Sequence, residues 1–172
     1  MPNYRRDYSG STWFFTVVTK HRRRLFVNET ARACLRGAIT ECRIRYPFHI
    51  DAWVVLPDHI HCVWTLPEDD RDYSRRWSII KRGFTQLYRR HAPNCGGHGP
   101  PYWQERFWAH RIDDEADYRH HLDYVHINPV KHGLTDRVSA WPWSTFHRYV
   151  DAGVYPADWG GKVVLPKDVG NE

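Results

Sequence analysis

The stretch "LPDHIHCVW" (Leu56–Trp64) places two histidines one residue apart within an apolar run. Side chains alternate between the two faces of a β-strand, so His59 and His61 are predicted to share one face, with Val63 beyond them. Two imidazoles side by side where a core is expected are either hydrogen-bonded core histidines or the holders of a ligand. This stretch alone leaves both interpretations open.

Three further segments around this stretch have the composition of β-strands. "FHIDAWVVL" (48–56) is rich in β-branched and aromatic residues, and only a Pro-Asp dipeptide separates it from "HIHCVWTL" (59–66). Such a short connection predicts a tight antiparallel hairpin. "STWFFTVVTK" (11–20) predicts another strand, and "YWQERFWAHRI" (102–112) predicts a fourth strand or its approach.

Three helices are predicted between and after these strands. Apolar residues recur at helical spacing over 28–45 and again over about 73–90. A third helix is predicted over 113–128, because its first turn is acidic and complements the positive end of the helix dipole. Pro129 is expected to end it.

The resulting order, β-α-β-β-α-β-α, predicts an α+β fold of the ferredoxin-like, split βαβ class. That class has one antiparallel sheet with helices on one face, here with a C-terminal extension. The 172 residues are interpreted as a single domain over 1–172. Its core is expected at about 8–129 and the extension at about 130–172.

Composition narrows the class of protein. With 41% hydrophobic and 15% aromatic residues, the chain is expected to fold rather than remain disordered. No apolar run approaches the roughly 20 residues of a membrane span, and "MPNYRRDYSG" lacks the apolar centre of a secretory signal. These two absences favour a protein without membrane contact. The four cysteines show no CxxC spacing, which favours a reduced, cytoplasmic setting.

The charge distribution favours a polyanionic partner. Residues 1–90 carry 17 Lys and Arg against 9 Asp and Glu, whereas residues 91–172 carry 8 against 11, which gives +8, −3 and a net charge of +5. A basic half with many aromatic rings makes nucleic acid the first candidate. Candidate DNA contacts are Arg22, Arg23, Arg75, Arg76, Lys81, Arg82 and, by stacking on an unpaired base, Trp103. The alternatives are an ordinary solvated helix face for the basic residues and core packing for the indole.

A polar row borders the apolar side of the third helix. Its members fall within about 60° of one another at 100° per residue: Asp117, His121, Tyr124 and Asn128. The row could be only a boundary between core and solvent. Together with the histidine pair it suggests one wall of a site, in which two imidazoles and an amide oxygen hold a divalent metal. Such an ion would polarise a phosphodiester, and Tyr124 would attack the phosphodiester, as in a nuclease-like strand transferase.

Three other histidine chemistries fit poorly. A histidine-triad hydrolase needs a histidine where Val63 stands, and a two-histidine phosphoesterase needs two separate His-x-Thr/Ser pairs. A hydrolase barrel that opens with His-x-His needs about 250 residues. Structural zinc is disfavoured because His59, His61 and Cys62 cannot all face one ion from a regular strand.

Three motifs together resemble a known family. "WVVLPDHIHCVWTLP", "DYRHHLDYVHINPVKHG" and "WPWSTFHR" resemble the REP-associated tyrosine transposases, where REP denotes a repetitive extragenic palindrome. These are IS200-like members of the single-tyrosine HUH (His-hydrophobic-His) endonucleases. The resemblance extends from "WFFTVVTK" to "YPADW", and its specificity lies in the combination of motifs.

The resemblance implies a set of roles. His59 and His61 would bind Mg²⁺ or Mn²⁺, Asn128 would be the polar third ligand, and Tyr124 would be the nucleophile. The family cleaves single-stranded DNA beside REP hairpins, forming a 5′-phosphotyrosine and a free 3′-OH that can rejoin ends. The resemblance also implies a bacterial, cytoplasmic, nucleoid-associated protein that acts as a monomer or homodimer.

Two hypotheses follow from these observations. The first is a metal-dependent endonuclease and strand transferase, and the second is a non-catalytic binder of palindromic DNA or RNA hairpins. The presence of both histidines, the tyrosine and the asparagine favours the enzyme, because a binder does not need that combination.

Overall fold

The computed structural model describes residues 10–92 and 99–160. We number the elements in chain order, omitting three short 3₁₀ turns. They are β1 (Thr12–Val18), α1 (Glu29–Arg45), β2 (His49–Val55), β3 (His59–Thr65), α2 (Tyr73–His91), β4 (Trp108–Arg111), α3 (Glu115–Lys131) and α4 (Phe146–Asp151). None of the described helices is long and apolar enough to cross a membrane.

The strands form one sheet in the order β2-β3-β1-β4, and every neighbouring pair is antiparallel. The hairpin predicted from the sequence joins β2 to β3, with Leu56 N–H donating to the carbonyl of His59 at 2.9 Å. In the central pair, Thr16 lies opposite His61 and Phe14 opposite Val63. This topology confirms the predicted α+β, split βαβ class.

The helices cover both faces of the sheet. Helices α1 and α2 pack on the face that carries Phe15, Ile60 and Trp64, whereas α3 packs on the face that carries Phe14 and Val63. The expectation of helices on one face therefore holds for α1 and α2 but not for α3. The physical reason is that every residue of β3 is buried, and a strand that is buried on both faces needs a cover on each.

Helix α3 is anchored to the sheet through a bulge in β2. The register of β2 against β3 shifts between Ile50 and Ala52, leaving Asp51 at the irregularity. The Asp51 carboxylate, which is 3% exposed, accepts hydrogen bonds from Tyr118 Oη at 2.9 Å and from Thr65 Oγ1 at 2.8 Å. Burial raises the pKa of Tyr118, and the charge of Asp51 raises it further. The phenol therefore stays a donor and holds α3 in place.

The end of α3 differs from the prediction. Pro129 does not stop the helix, which continues to Lys131 and ends in a turn at Gly133, whose φ is +65°. Gly133 N–H donates to Val130 O and Leu134 N–H to Pro129 O, both at 2.9 Å, which is the Schellman pattern. Pro129 lacks only its own backbone N–H donor, which the last turn of the helix tolerates. Gly133 ends the helix because glycine takes the left-handed conformation easily.

The segment after α3 packs back onto α3 and β2. Trp141 Nε1 donates to the carbonyl of Val55 at 3.0 Å. His126 on α3 is fully buried, with its two ring nitrogens hydrogen-bonded to Tyr155 Oη at 3.2 Å and Thr145 Oγ1 at 2.9 Å. Burial lowers the pKa of His126 to about 3, so this imidazole is neutral and structural.

Arg76 on α2 is a structural residue. It is 2% exposed, and its guanidinium makes two hydrogen bonds to the Asp70 carboxylate, at 2.7 and 3.1 Å. It also donates to the carbonyls of Tyr46, Pro47 and Asp72. The hydrogen bond from Arg76 holds the pKa of Asp70 below its usual value. This guanidinium ties α2 to the end of α1.

We expect Arg76→Met to destabilise the fold by about 3 kcal/mol, because it removes the buried guanidinium that donates to one carboxylate and three carbonyls. Urea unfolding followed by circular dichroism measures the change. The matched control is Arg75→Met, which removes an exposed guanidinium one residue earlier and should cost less than about 1 kcal/mol. Equal effects of the two variants would contradict the structural role.

Candidate active site

The two histidines of β3 lie side by side on the face covered by α3. His59 is 2% exposed and His61 is fully buried, and their ring centroids are 4.8 Å apart. Ile60, Cys62 and Trp64 alternate to the opposite face, as the strand pattern predicted. Strand geometry therefore places both histidines on one face, in a part of the molecule that is closed to solvent.

Both imidazoles are oriented through Nδ1. Asp58 Oδ1 lies 2.6 Å from Nδ1 of His59, and Thr16 Oγ1 lies 2.9 Å from Nδ1 of His61. Burial opposes ionisation of Asp58, but the hydrogen bond and charge of His59, together with Arg22, outweigh it and lower the pKa of the carboxyl. In metal sites such partners set the tautomer and leave Nε2 as the ligand nitrogen. Nε2 of His59 is buried and has no hydrogen-bond partner among the described residues.

A third histidine joins the pair. The ring of His132, at the end of α3, lies 5.1 Å from that of His59, and one ligand nitrogen from each of His59, His61 and His132 falls within 4.8 Å of the others. Unlike the buried pair, His132 is exposed, so it lies at the rim of the site. The sequence did not indicate this residue, because the helix was expected to end at Pro129, before the turn that brings His132 to the site.

Asn128 carries a buried amide that the described chain leaves unpaired. It is fully buried on α3, and within the described chain neither Oδ1 nor Nδ2 of its amide makes a hydrogen bond. Buried polar atoms are nearly always paired, and an unpaired one costs about 1–3 kcal/mol. An amide oxygen is a donor that a hard divalent ion accepts.

Tyr124 lies against the histidine pair, one turn before Asn128 on α3. It is 1% exposed, and its ring contacts that of His61 edge to face with the centroids 5.2 Å apart. Lys131 Nζ donates to Tyr124 Oη at 3.2 Å. A lysine ammonium beside the phenol oxygen stabilises negative charge on it, which is what an attacking tyrosine requires.

The predicted DNA contacts fall into different environments. Arg22 is exposed and lies at the site, with Nη1 3.4 Å from Asp58 Oδ2. Arg23 instead donates to the carbonyls of Gly99 and Pro101. Arg75 and Arg82 are exposed and line a groove of about 440 Å³ between α1 and α2, on the other side of the sheet from the histidines.

The remaining predicted contacts are partly or fully engaged within the fold. Lys81 Nζ donates to the carbonyl of Gln104 at 2.8 Å, and burial lowers the pKa of Lys81 to about 8. Trp103 is 6% exposed, with its ring centroid 5.0 Å from that of Phe84 and 5.7 Å from that of Phe26. The structure thus places Trp103, like Arg76, in the interior rather than on a surface where a base could stack.

Comparison with known proteins agrees with the motifs. Residues 8–128 match the family described as "Transposase IS200 like". The REP-associated tyrosine transposase of Escherichia coli (strain K12) is 53% identical over 164 residues, covering 95% of this chain and 93% of that protein. A protein of Haemophilus influenzae is 41% identical over 167 residues, covering 94% of each chain.

A solved structure extends the likeness to three dimensions. It is a REP-associated tyrosine transposase bound to a REP hairpin, and it superposes with a TM-score of 0.80 at 49% identity, covering 100% of this chain and 98% of that one. The identity and coverage are high enough that fold and family are shared throughout. The chain therefore belongs to the IS200-like transposases, on the branch of the REP-associated tyrosine transposases.

Proposed function

We propose that this protein is a metal-dependent, single-stranded DNA endonuclease and strand transferase that acts beside REP-type hairpins. The observation that carries the proposal is the contact between a buried tyrosine and a buried histidine pair, with His61 and Tyr124 centroids 5.2 Å apart. A nucleophile and a metal-ligand set on one face of a sheet are the minimum that this reaction needs.

The residues present fit a divalent ion. His59 and His61 would hold it, with Asn128 as the polar ligand and His132 at the rim. Support comes from the buried, unbonded Nε2 of His59 and the unbonded amide of Asn128 within the described chain. Mg²⁺ and Mn²⁺ both suit the amide oxygen, and the imidazoles favour Mn²⁺. When bound, the ion would polarise the scissile phosphate.

The remaining steps are an exchange of phosphorus–oxygen bonds and two proton transfers. Tyr124 Oη gives its proton to water and attacks the phosphorus, so that an O–P bond forms to the tyrosine while the bond to the 3′ oxygen breaks. The leaving 3′ oxygen takes a proton from water, and the DNA stays attached as a 5′-phosphotyrosine. Attack by another 3′-OH reverses these steps and joins the strands. Lys131 stabilises charge on the phenol oxygen before it attacks and again when it leaves in the reverse step.

The DNA substrate is inferred from likeness and charge. A relative of the same fold binds a REP hairpin, and the first half of this chain carries a net positive charge. We propose Arg22 at the site and the exposed Arg75 and Arg82 on α2 as phosphate contacts. The competing hypothesis, a hairpin binder without activity, gives no reason for an unpaired buried amide beside a tyrosine.

Tyr124→Phe should abolish the covalent protein–DNA adduct while leaving hairpin binding unchanged, because only the nucleophilic oxygen is removed. The measurement is a denaturing gel after incubation with labelled hairpin DNA and Mn²⁺. Tyr73→Phe on α2 is the matched control and should form the adduct normally. No adduct from the unaltered protein with any REP-type hairpin would favour the binder.

His59→Ala or a chelator should stop cleavage but preserve most hairpin affinity, since phosphate contacts elsewhere supply the affinity. Cleavage and binding are measured on the same hairpin, by gel and by fluorescence anisotropy. His120→Ala, an exposed histidine of α3, is the control and should behave as the unaltered protein does. A parallel loss of cleavage and binding would refute the metal role.

Lys131→Met should lower the rate constant of adduct formation by about 10²-fold, because the phenolate loses its cationic partner. Raising the pH should recover part of the rate in this variant, since more of the phenol is then ionised. Lys131→Arg retains a cation and should keep most of the rate at neutral pH. An unchanged rate in Lys131→Met would remove this lysine from the mechanism.

A further inference from the structure

A second group of metal-binding side chains lies on the same face of the sheet. His110 belongs to β4, while Asp117 and His121 belong to α3. One potential ligand atom from each of the three lies within 4.8 Å of the other two. The mechanism proposed above uses none of these side chains.

The carboxylate of Asp117 bridges the two imidazoles. Its Oδ2 lies 2.9 Å from Nε2 of His110, and its Oδ1 lies 2.9 Å from Nδ1 of His121. The two rings stack with their centroids 4.8 Å apart and an angle of 17° between their planes. Adjacent ligands of one octahedral ion at about 2.1 Å are themselves about 3 Å apart. Without an ion, the contact between His110 Nε2 and Asp117 Oδ2 is a hydrogen bond, and its length of 2.9 Å is also the spacing of two neighbouring ligands, so a bound ion would take the place of the shared proton.

The second imidazole is prepared for a ligand on its other nitrogen. Nδ1 of His121 also lies 2.9 Å from the backbone carbonyl of Asp117, which can only accept, so Nδ1 carries the proton and Nε2 the lone pair. A metal-bound histidine commonly donates its other N–H to a carbonyl in this way.

The carboxylate of Asp117 is the third member of the set. The backbone N–H of Asp113 donates to its Oδ2 at 3.0 Å and helps to hold it in place. Two imidazoles and one carboxylate form a set that first-row transition ions bind, with positions left open for water.

We propose that His110, Asp117 and His121 bind a divalent transition ion of the Zn²⁺ type, which ties the edge strand β4 to helix α3. The strand has only four residues, and β1 is its sole partner in the described sheet. A short edge strand with one neighbour is weakly held. An ion shared with α3 would fix β4 against the helix that carries Tyr124.

This site is separate from the one that we assign to cleavage. Phe14 lies between the two, with its ring centroid 5.7 Å from that of His61 and 4.7 Å from that of His121. Two-metal catalysis requires ions about 3.5–4 Å apart, which an intervening aromatic ring prevents. The second ion therefore contributes to stability and not to the reaction, and the inference holds whether or not the proposed activity does.

The test uses the full chain without a histidine tag and with His59→Ala and His61→Ala, which remove the first site. Apo protein of this double variant is titrated with Co²⁺, followed by visible absorption, and with Zn²⁺, followed by metal analysis after dialysis. One tightly bound ion per chain and a Zn²⁺-dependent rise in Tm are expected. Failure of the double variant to bind either ion would overturn the proposal.

Further substitutions in this background locate the ion. His110→Ala combined with His121→Ala should abolish the Co²⁺ spectrum and the rise in Tm, and Asp117→Asn should weaken both. His120→Ala, on the exposed side of α3, should leave both unchanged. Circular dichroism verifies that each variant folds without metal. Retention of the ion after loss of His110 and His121 would place it elsewhere and refute the assignment.

Discussion

The placement of α3 against the sheet is the constraint on which the candidate site depends. The histidine pair lies on a strand, whereas the tyrosine, the amide and the lysine lie on α3, so the two sets meet only if the helix is held in one position. Apolar contacts with Phe14 and Val63 supply the burial, and the Tyr118–Asp51 hydrogen bond fixes the rotation and height of the helix. A carboxylate that is itself buried at a strand bulge makes that anchor specific.

Buried polar groups at the site lower the stability of the fold, and the rest of the core offsets that loss. A fully buried Asn128 without hydrogen bonds in the described chain, and two imidazoles in the interior, would each destabilise an ordinary core. The surrounding core is large enough to tolerate them, since aromatic and aliphatic residues cover both faces of the sheet. At the site, the unpaired polar atoms of Asn128 and of His59 Nε2 are ones whose cost a bound ligand would remove, as is typical of functional sites.

The positively charged residues serve two different purposes. Arg76 is engaged in a buried hydrogen-bond network that joins α1 and α2, whereas Arg22 stays exposed beside Asp58 at the site. Arg75 and Arg82 lie across the sheet from the histidines, so a DNA strand in contact with both regions would have to pass around an edge of the sheet. A positive net charge indicates a polyanionic partner, but only burial distinguishes a guanidinium that can contact a phosphate from one that stabilises the fold.

The sequence by itself determined the strand that carries His59 and His61, the hairpin before it, the split βαβ order and the helical row that contains Tyr124 and Asn128. These features follow from periodicities of two and 3.6 residues, which are local properties of the chain. Only the tertiary structure decided that α3 lies on the face opposite α1 and α2, that it continues past Pro129 to bring His132 to the rim, and that Trp103 is interior. Such features depend on which apolar surface covers which, and that is a relation between segments distant in sequence.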